Sequence, residues 1–306
     1  MSAAEARGTR NIAAFVLLAL VWGSTWLVIK DQVSAVQPSW TVTWRFALAA
    51  LGMTALARVR GESLRLDPAG LRLAALVGTL QFAANFQFVY RAEIVLTSGI
   101  VAVFFALLLV PNALFARVFV GTPVTARFIA GSAVALGGIA LLFVHETRAA
   151  PSGTSVLGGI ALATCAVLCA SIANVMQASE TARRQPAIPF LAWAMIAGAL
   201  ANAGFAWVTS GAPVLDPRPA YLWGIAYLAL VGSVLTFPLY FGLIRDWGPG
   251  KAAYNGVAVP VVAMALSTLF EGYRWTALAA AGAVLAMAGL LIALSGRNGA
   301  GRKAGA

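Results

Sequence analysis

Apolar side chains gather along this chain in ten long blocks. They cover residues 11–29, 40–57, 73–90, 94–116, 128–144, 156–178, 188–208, 221–244, 252–270 and 275–294. A helix crosses the hydrocarbon core of a bilayer in about 20 apolar residues, so each block predicts one span. Backbone groups in hydrocarbon must be satisfied within their own segment, which makes helices the expected form. Turn and cap residues mark the gaps: Gln37-Pro38-Ser39, Asp67-Pro68-Ala69-Gly70, Ala150-Pro151-Ser152-Gly153, Asp216-Pro217-Arg218-Pro219 and Gly248-Pro249-Gly250. Thr122-Pro123 reads as an N-cap with proline at the first helical position. The block behind Arg7 and Arg10 reads as a permanent helix rather than a cleaved signal, because no small-x-small site follows it. No stretch is left for a soluble domain. The pattern predicts an all-α, polytopic membrane protein of ten transmembrane helices.

Composition strengthens this picture. Of 306 residues, 61% are hydrophobic and 10% charged, against about 25% charged in a soluble protein. That excludes a water-soluble globule and a disordered chain. The two cysteines cannot staple a fold of this size. A net charge of +11 would suit nucleic acid if it were clustered on one face, but it is spread over many gaps. With the N-terminus in the cytoplasm and helices alternating, fifteen of the 21 basic residues fall inside. Lys30, Arg91, Arg148, Arg218 and Arg274 fall outside, and Arg45 lies within a block. This is the positive-inside pattern. It places both termini in the cytoplasm and makes the lipid bilayer, not nucleic acid, the partner.

The second half echoes the first. Residues 131–138 and 282–289 both carry glycines seven apart in the last block of their half. Pro111 precedes Gly131 by 20 residues and Pro260 precedes Gly282 by 22. Residues 1–150 and 151–306 therefore read as two five-helix repeats. Five is an odd number, so the repeats insert with opposite orientation, a design common among secondary transporters. Chance similarity of Ala/Gly/Leu-rich spans is the competing explanation.

Polar residues inside spans face a bundle interior or a wet path. They include Ser24 and Thr25 in helix one, Gln81, Asn85 and Gln87 in three, Thr97, Ser98 and Asn112 in four, Ser171, Asn174 and Gln177 in six, Ser233 and Thr236 in eight, and Tyr254, Asn255, Ser267 and Thr268 in nine. Gln81 and Asn85 share a face. Helices five and ten are nearly devoid of them and rich in glycine, which suits close packing. That predicts five and ten as scaffold or as a homodimer contact, with the other eight around a cavity. The candidate substrate-binding residues are Trp22, Ser24, Trp26, Arg45, Gln81, Asn85, Tyr90, Asn174, Tyr227, Tyr254 and Asn255. For each polar one, interhelical hydrogen bonding without a ligand is the competing reading. Pro111, Pro238 and Pro260 lie within spans and predict kinks, either hinges for gating or static bends. Trp40, Tyr273 and Trp275 lie near span ends, where anchoring at the interface is expected.

Two placements are open to Arg45, about six residues from the outer end of helix two. It can snorkel to the surface, or it can sit in the cavity and take an anionic group with its fork of donors. All ten acids fall in gaps or at span ends, with Glu93 and Glu271 nearest the interior, which argues against a deep carboxylate relay. His145, the single histidine, is predicted at an outer end as a solvated residue. No His/Asp/Glu cluster suits a metal, no acidic cluster suits magnesium, and no phosphate loop appears. So there is no catalytic residue to assign, no cofactor is called for, and Cys165 and Cys169 read as small packing residues.

Trp22-Gly23-Ser24-Thr25 with Lys30, Arg45-Phe46, the repeated proline–glycine pattern and Phe270-Glu271 together resemble the EamA-type branch of the drug/metabolite transporter superfamily. The likeness spans nearly the whole chain and rests more on layout than on any one motif. Gly121-Thr122 and Phe270 depart from the Gly-Glu pair usual in that family. The resemblance implies a 5+5 inverted repeat, a central cavity from helices one to four and six to nine, and export of small metabolites, amino acids among them. The reading is therefore a bacterial inner-membrane secondary transporter, an efflux protein working by alternating access on a small-molecule substrate. A non-transporting scaffold or receptor, and an intramembrane enzyme, are the alternatives.

Overall fold

The computed structural model describes residues 3–34, 36–121, 123–149, 155–247 and 252–303. Helices lie on all ten apolar blocks, and no strand occurs among the described residues. The long helices are α1 (Ala3–Val33), α2 (Pro38–Val59), α3 (Pro68–Val95), α4 (Ser98–Phe119), α5 (Ala126–Ala149), α6 (Val156–Gln177), α7 (Ala187–Ser210), α8 (residues 219–247), α9 (Asn255–Phe270) and α10 (Ala277–Lys303), with one short helix, Glu180–Arg183, between α6 and α7. Among the described residues nine are long and apolar enough to cross a membrane, and α9, at 16 residues, is shorter. The large apolar side chains left uncovered include Leu51, Leu76, Leu157, Leu200, Trp223 and Val284. In water that surface would be a liability. In lipid it is the expected coat, since acyl chains are as apolar as leucine.

Local signals set the helix ends. Asp67 caps α3, its Oδ1 accepting from the Gly70 amide at 2.6 Å while Gln185 Nε2 donates to Oδ2 at 2.9 Å. These bonds favour the ionised form and hold the Asp67 carboxyl below its ordinary range. The cap expected at Thr122-Pro123 is displaced. Helix α5 begins at Ala126, and Thr125 Oγ1 accepts from the Phe128 amide at 3.2 Å. Pro123 precedes the helix, and Thr122 lies outside the described residues. The gap residues 150–153 and 248–250 also lie outside them.

Three helices are irregular in mid-span. Helix α3 widens to π-turns over Thr79–Ala84, and α8 does the same over Tyr227–Leu235. Such turns re-aim side chains and recur at functional sites. In α4 the helix breaks at Leu107 and Leu108, four and three residues before Pro111. Proline clashes with the carbonyl four residues back, and the Leu107 carbonyl instead accepts from the Val110 amide at 2.8 Å.

The neighbours follow a regular scheme. α2 packs on α7, α3 on α6 and α7, α8 on α1 and α2, α9 on α1 and α4, and α5 on α10. Gly131 and Gly138 of α5 meet Gly289 and Gly282 of α10, and a Cβ on any of the four would strike the opposing backbone. The glycine faces of α5 and α10 are thus spent on each other.

Burial corrects three expectations. Trp40 is buried, with Nε1 donating to the Gly211 carbonyl at 3.2 Å, and Tyr273 is buried as well. Only Trp275 of the three keeps substantial exposure. His145 is not solvated: α5 carries it to a buried position where Nδ1 lies 3.1 Å from Thr276 Oγ1 and the ring stands edge-on to Tyr273.

Candidate functional site

A cavity of about 390 Å³ opens between the helices, within the size range of small-molecule sites. Its walls come from α1, α2, α3, α4, α6, α8 and α9. Helix α5 supplies nothing, as expected. Helix α10 does contribute, through Leu290 and Leu294, so the expectation that both five and ten stand wholly outside is corrected. The lining includes Gln177, where α6 ends, and Asn255, where α9 begins. At the opposite end Lys30, Glu93, Thr97 and Glu271 are outside it. The cavity therefore opens toward one end of the bundle and is shut at the other.

Seven of the eleven candidate residues line this space: Trp22, Trp26, Arg45, Gln81, Asn85, Asn174 and Asn255. Ser24, Tyr90, Tyr227 and Tyr254 do not. Ser24 and Tyr227 instead share a 2.6 Å hydrogen bond between α1 and α8, the interhelical alternative. Tyr90 is fully buried behind Arg45 and donates to Gln32 Oε1 at 3.2 Å. Tyr254 sits in the turn ahead of α9, and we find no cavity contact for it.

Arg45 does not snorkel. It is 3% exposed, with Nη1 donating to Tyr90 Oη at 3.4 Å. Its guanidinium carbon lies 4.4 Å from the Phe86 ring centre and 5.1 Å from that of Phe46. Aromatic faces attract a cation and shield it from lipid. Among the described residues no carboxylate lies within 4 Å of it, and its Nε has no partner. The cavity thus holds a cation with donors to spare.

The amides are half used. Asn85 Nδ2 donates to the Gln81 carbonyl at 3.2 Å, and Asn255 Nδ2 donates to the Phe15 carbonyl at 2.9 Å. The side-chain oxygens of Gln81, Asn85, Asn112 and Asn255 are buried without a donor. Leaving such acceptors unpaired costs about 1–3 kcal/mol each, a cost that a ligand's N–H or O–H removes. Aromatic rings frame them. Trp22 Nε1 donates to Thr236 Oγ1 at 3.0 Å and packs on Phe237 and Tyr240, and Trp26 leans on Phe105 at 5.0 Å.

Asn112, Gln177 and Ser233 also line the cavity. The polarity of the spans flags all three without singling them out. Gln177 is three residues after Asn174, on the same helix face, and Asn112 adjoins Pro111. Those spacings could have found these two. Of the prolines, Pro260 lines the cavity, Pro111 follows the α4 break, and Pro238 follows the π-segment of α8.

Comparison with known proteins gives this geometry a class. The EamA-like transporter family matches residues 9–144 and again residues 157–295. The chain belongs to the EamA-like transporter family, and it is a transporter rather than an enzyme. It is 29% identical over 263 residues to the uncharacterized inner membrane transporter YedA of Escherichia coli K12, covering 85% of this chain and 82% of that one. It is 24% identical over 259 residues to protein PagO of Salmonella typhimurium, covering 85% and 84%. The uncharacterized transporter YyaM of Bacillus subtilis is 24% identical over 276 residues, 89% of each chain. A protein of known crystal structure shares the fold with a TM-score of 0.68 at 16% identity, over 93% of this chain and 96% of that one.

Proposed function

We propose that this chain is a multi-pass inner-membrane secondary transporter that exports small metabolites, amino acids among them, by alternating access. The cavity carries the reading: it is open at one end, sealed at the other, and lined by an unpaired Arg45 and four unpartnered amide oxygens. A carboxylate suits Arg45, because a planar guanidinium takes it through two parallel bonds. An ammonium or hydroxyl suits the amide oxygens. Trp22, Trp26, Arg45, Gln81, Asn85, Asn174 and Asn255 are the contact residues in this proposal. Ser24 and Tyr227 hold α1 to α8, Tyr90 steadies Arg45, and Pro111, Pro238 and Pro260 mark where helices bend during the cycle.

Ten transmembrane helices in a 5+5 inverted repeat, with halves 1–150 and 151–306, form the framework. Several features support it. The family matches once in each half. Advancing the helix numbers by five relates main helix pairs of the scheme to one another: α3 on α6 becomes α8 on α1, and α3 on α7 becomes α8 on α2. The π-segments fall in α3 and α8, which are equivalent helices. Helix α9 completes its crossing with the residues just ahead of Asn255. With both termini cytoplasmic, as the basic residues favour, the cavity faces the cytoplasm. A homodimer would then use the outward faces of α5 or α10, where Ile129, Leu136 and Val284 are exposed.

The test is flux. Purified protein in proteoliposomes should move labelled amino acids down a gradient, and Arg45→Ala should abolish movement of those with a free carboxylate. No flux for any carboxylate-bearing metabolite, with the fold intact, overturns the reading.

A further inference from the structure

The sealed end of the bundle holds a second constellation, one turn beyond the cavity. Val89 and Ile29 line the cavity, and Glu93 and Lys30 lie just past them. Lys30 Nζ donates to the backbone carbonyls of Glu93, at 2.5 Å, and Leu96, at 3.0 Å, bridging α1 to the end of α3. Glu271, after α9, accepts on one oxygen from the Ser98 amide and from Ser267 Oγ, both at 3.0 Å. It thereby caps α4. Glu146 of α5 faces the neighbouring Thr97 amide.

Glu93 is the anomaly in this arrangement, and its burial corrects the expectation that the acids lie too near the span ends to form a deep proton site. It is 0% exposed, and neither carboxyl oxygen has a hydrogen-bond partner. It is in no ion pair among the described residues, since Lys30 spends its bonds on carbonyls. The hydroxyls of Thr97, Ser98 and Tyr273 and the second Glu271 oxygen are also buried and unpartnered. The groups facing Glu93 can be named element by element. Lys30 from α1, Arg45 from α2 and Glu271 from the end of α9 act on it directly, while Glu146 of α5 stands near Lys30 and Glu271, and Tyr273 lies near Glu146 with its ring against His145. On its own helix Tyr90 turns to Gln32, while Arg91 turns to Gln87, Ser39 and Phe205. Helix α6 offers no charge and only Cys165 and Cys169 to titrate. Two cations thus stand near three carboxylates. A bare carboxylate buried without donors is far costlier than a neutral acid. One proton balances the set, and Glu93 is where no bond competes for it. A metal ion is disfavoured, because no group of three His, Cys, Asp or Glu among the described residues has the spacing to hold one.

We propose that Glu93 is an occluded proton-binding site, and that closing the Lys30 end of the transporter takes up one proton from the compartment which that end faces. When the end opens, α1 parts from α3, Lys30 leaves the carbonyls, and water reaches Glu93. The carboxylic acid then releases its proton to that water and becomes a carboxylate. Closure reverses the step. The sealed state binds the proton more tightly, so it is favoured at low pH and lost as pH rises. For one proton, the ratio of closed to open changes about tenfold per pH unit across that window.

Two measurements on the full chain in lipid nanodiscs test this, and neither needs a substrate, so they stand whether or not the transport reading does. Infrared spectroscopy at neutral pH should show the carbonyl band of an undissociated carboxylic acid in the unmodified protein, downshifted in heavy water. Glu93→Gln should remove it and Glu271→Gln should leave it. Spin labels at Ser34→Cys and Ala277→Cys, with Cys165 and Cys169 replaced by alanine, report the spacing across the sealed end. That spacing should lengthen as pH rises, should stay short in Glu93→Gln, and should respond normally in His145→Gln. The proposal is overturned by the absence of an acid band in the unmodified protein, or by its survival in Glu93→Gln. It is equally overturned if Glu93→Gln keeps the pH response, if His145→Gln abolishes it, or if sodium restores the short spacing at high pH.

Discussion

Arg45 shows how far single residues can be read from sequence. Its presence six residues into an apolar block flags it, but sequence alone leaves it either at the surface or in the cavity. Phe46 beside it and Phe86 from α3 decide the matter by flanking the guanidinium on the interior side. That arrangement depends on which face of α3 meets α2, which no spacing within one helix discloses. The same limit explains Ser24 and Tyr227, whose side chains find each other across two helices. It also explains Glu93, which lies at a span end in sequence and is wholly buried in the fold. If Arg45 takes a substrate carboxylate, Arg45→Ala should weaken binding by about 1.5–3 kcal/mol, roughly 10- to 150-fold in Kd. Arg45→Lys should recover only part of it, because an ammonium cannot bind bidentately. Isothermal titration with a substrate found by flux checks both.

At the scale of elements, the periodicity of apolar blocks locates the ten long helices, because lipid imposes a length that a sequence displays openly. The irregularities inside helices are less legible. Pro111 announces the α4 break, yet nothing comparable announces the π-turns of Thr79–Ala84, which depend on α7 packing close: Asn202 Nδ2 donates to the Phe82 carbonyl at 2.8 Å there. Asn202→Leu should therefore destabilise the protein and disturb Gln81 and Asn85. Thermal unfolding should show it, along with weaker substrate binding. At the α5–α10 seam, Gly138→Leu should cost about 1–3 kcal/mol through overpacking, and the same change at Gly137, which faces open space, should cost little. Asp67 ties the start of α3 to Gln185. Because its folded form is the more acidic, its contribution is fully present above the ordinary carboxylate range and is lost as pH falls below that range through the lower folded value. Asp67→Asn should accordingly blunt the acid-side drop in Tm.

For the molecule as a whole, the proposed orientation makes the loops near Arg60 and Arg148 lie on opposite sides of the membrane. Single cysteines at these positions should react with an impermeant thiol reagent from the cytoplasm and from the outside respectively. Reaction of both from one side would dismantle the topology and with it the inward-facing cavity. The proposed two-part layout has its sequence basis in the glycine pairs and prolines that recur in both halves. Which end of the cavity is shut is not, because that depends on bonds such as Lys30 to the Glu93 carbonyl, between residues 63 positions apart.

The glycine seam bears on how such a chain can be assembled. Each half ends in a helix whose bare stripe is filled by the other half's last helix, so neither piece is finished alone. Cut the coding sequence within residues 150–154 and express both fragments in one cell, and the stripes should guide them into a working whole. Either fragment alone should be left with an unmated ridge and be cleared by membrane proteases. Co-purification of the two pieces through a tag on only one would register that mutual dependence directly.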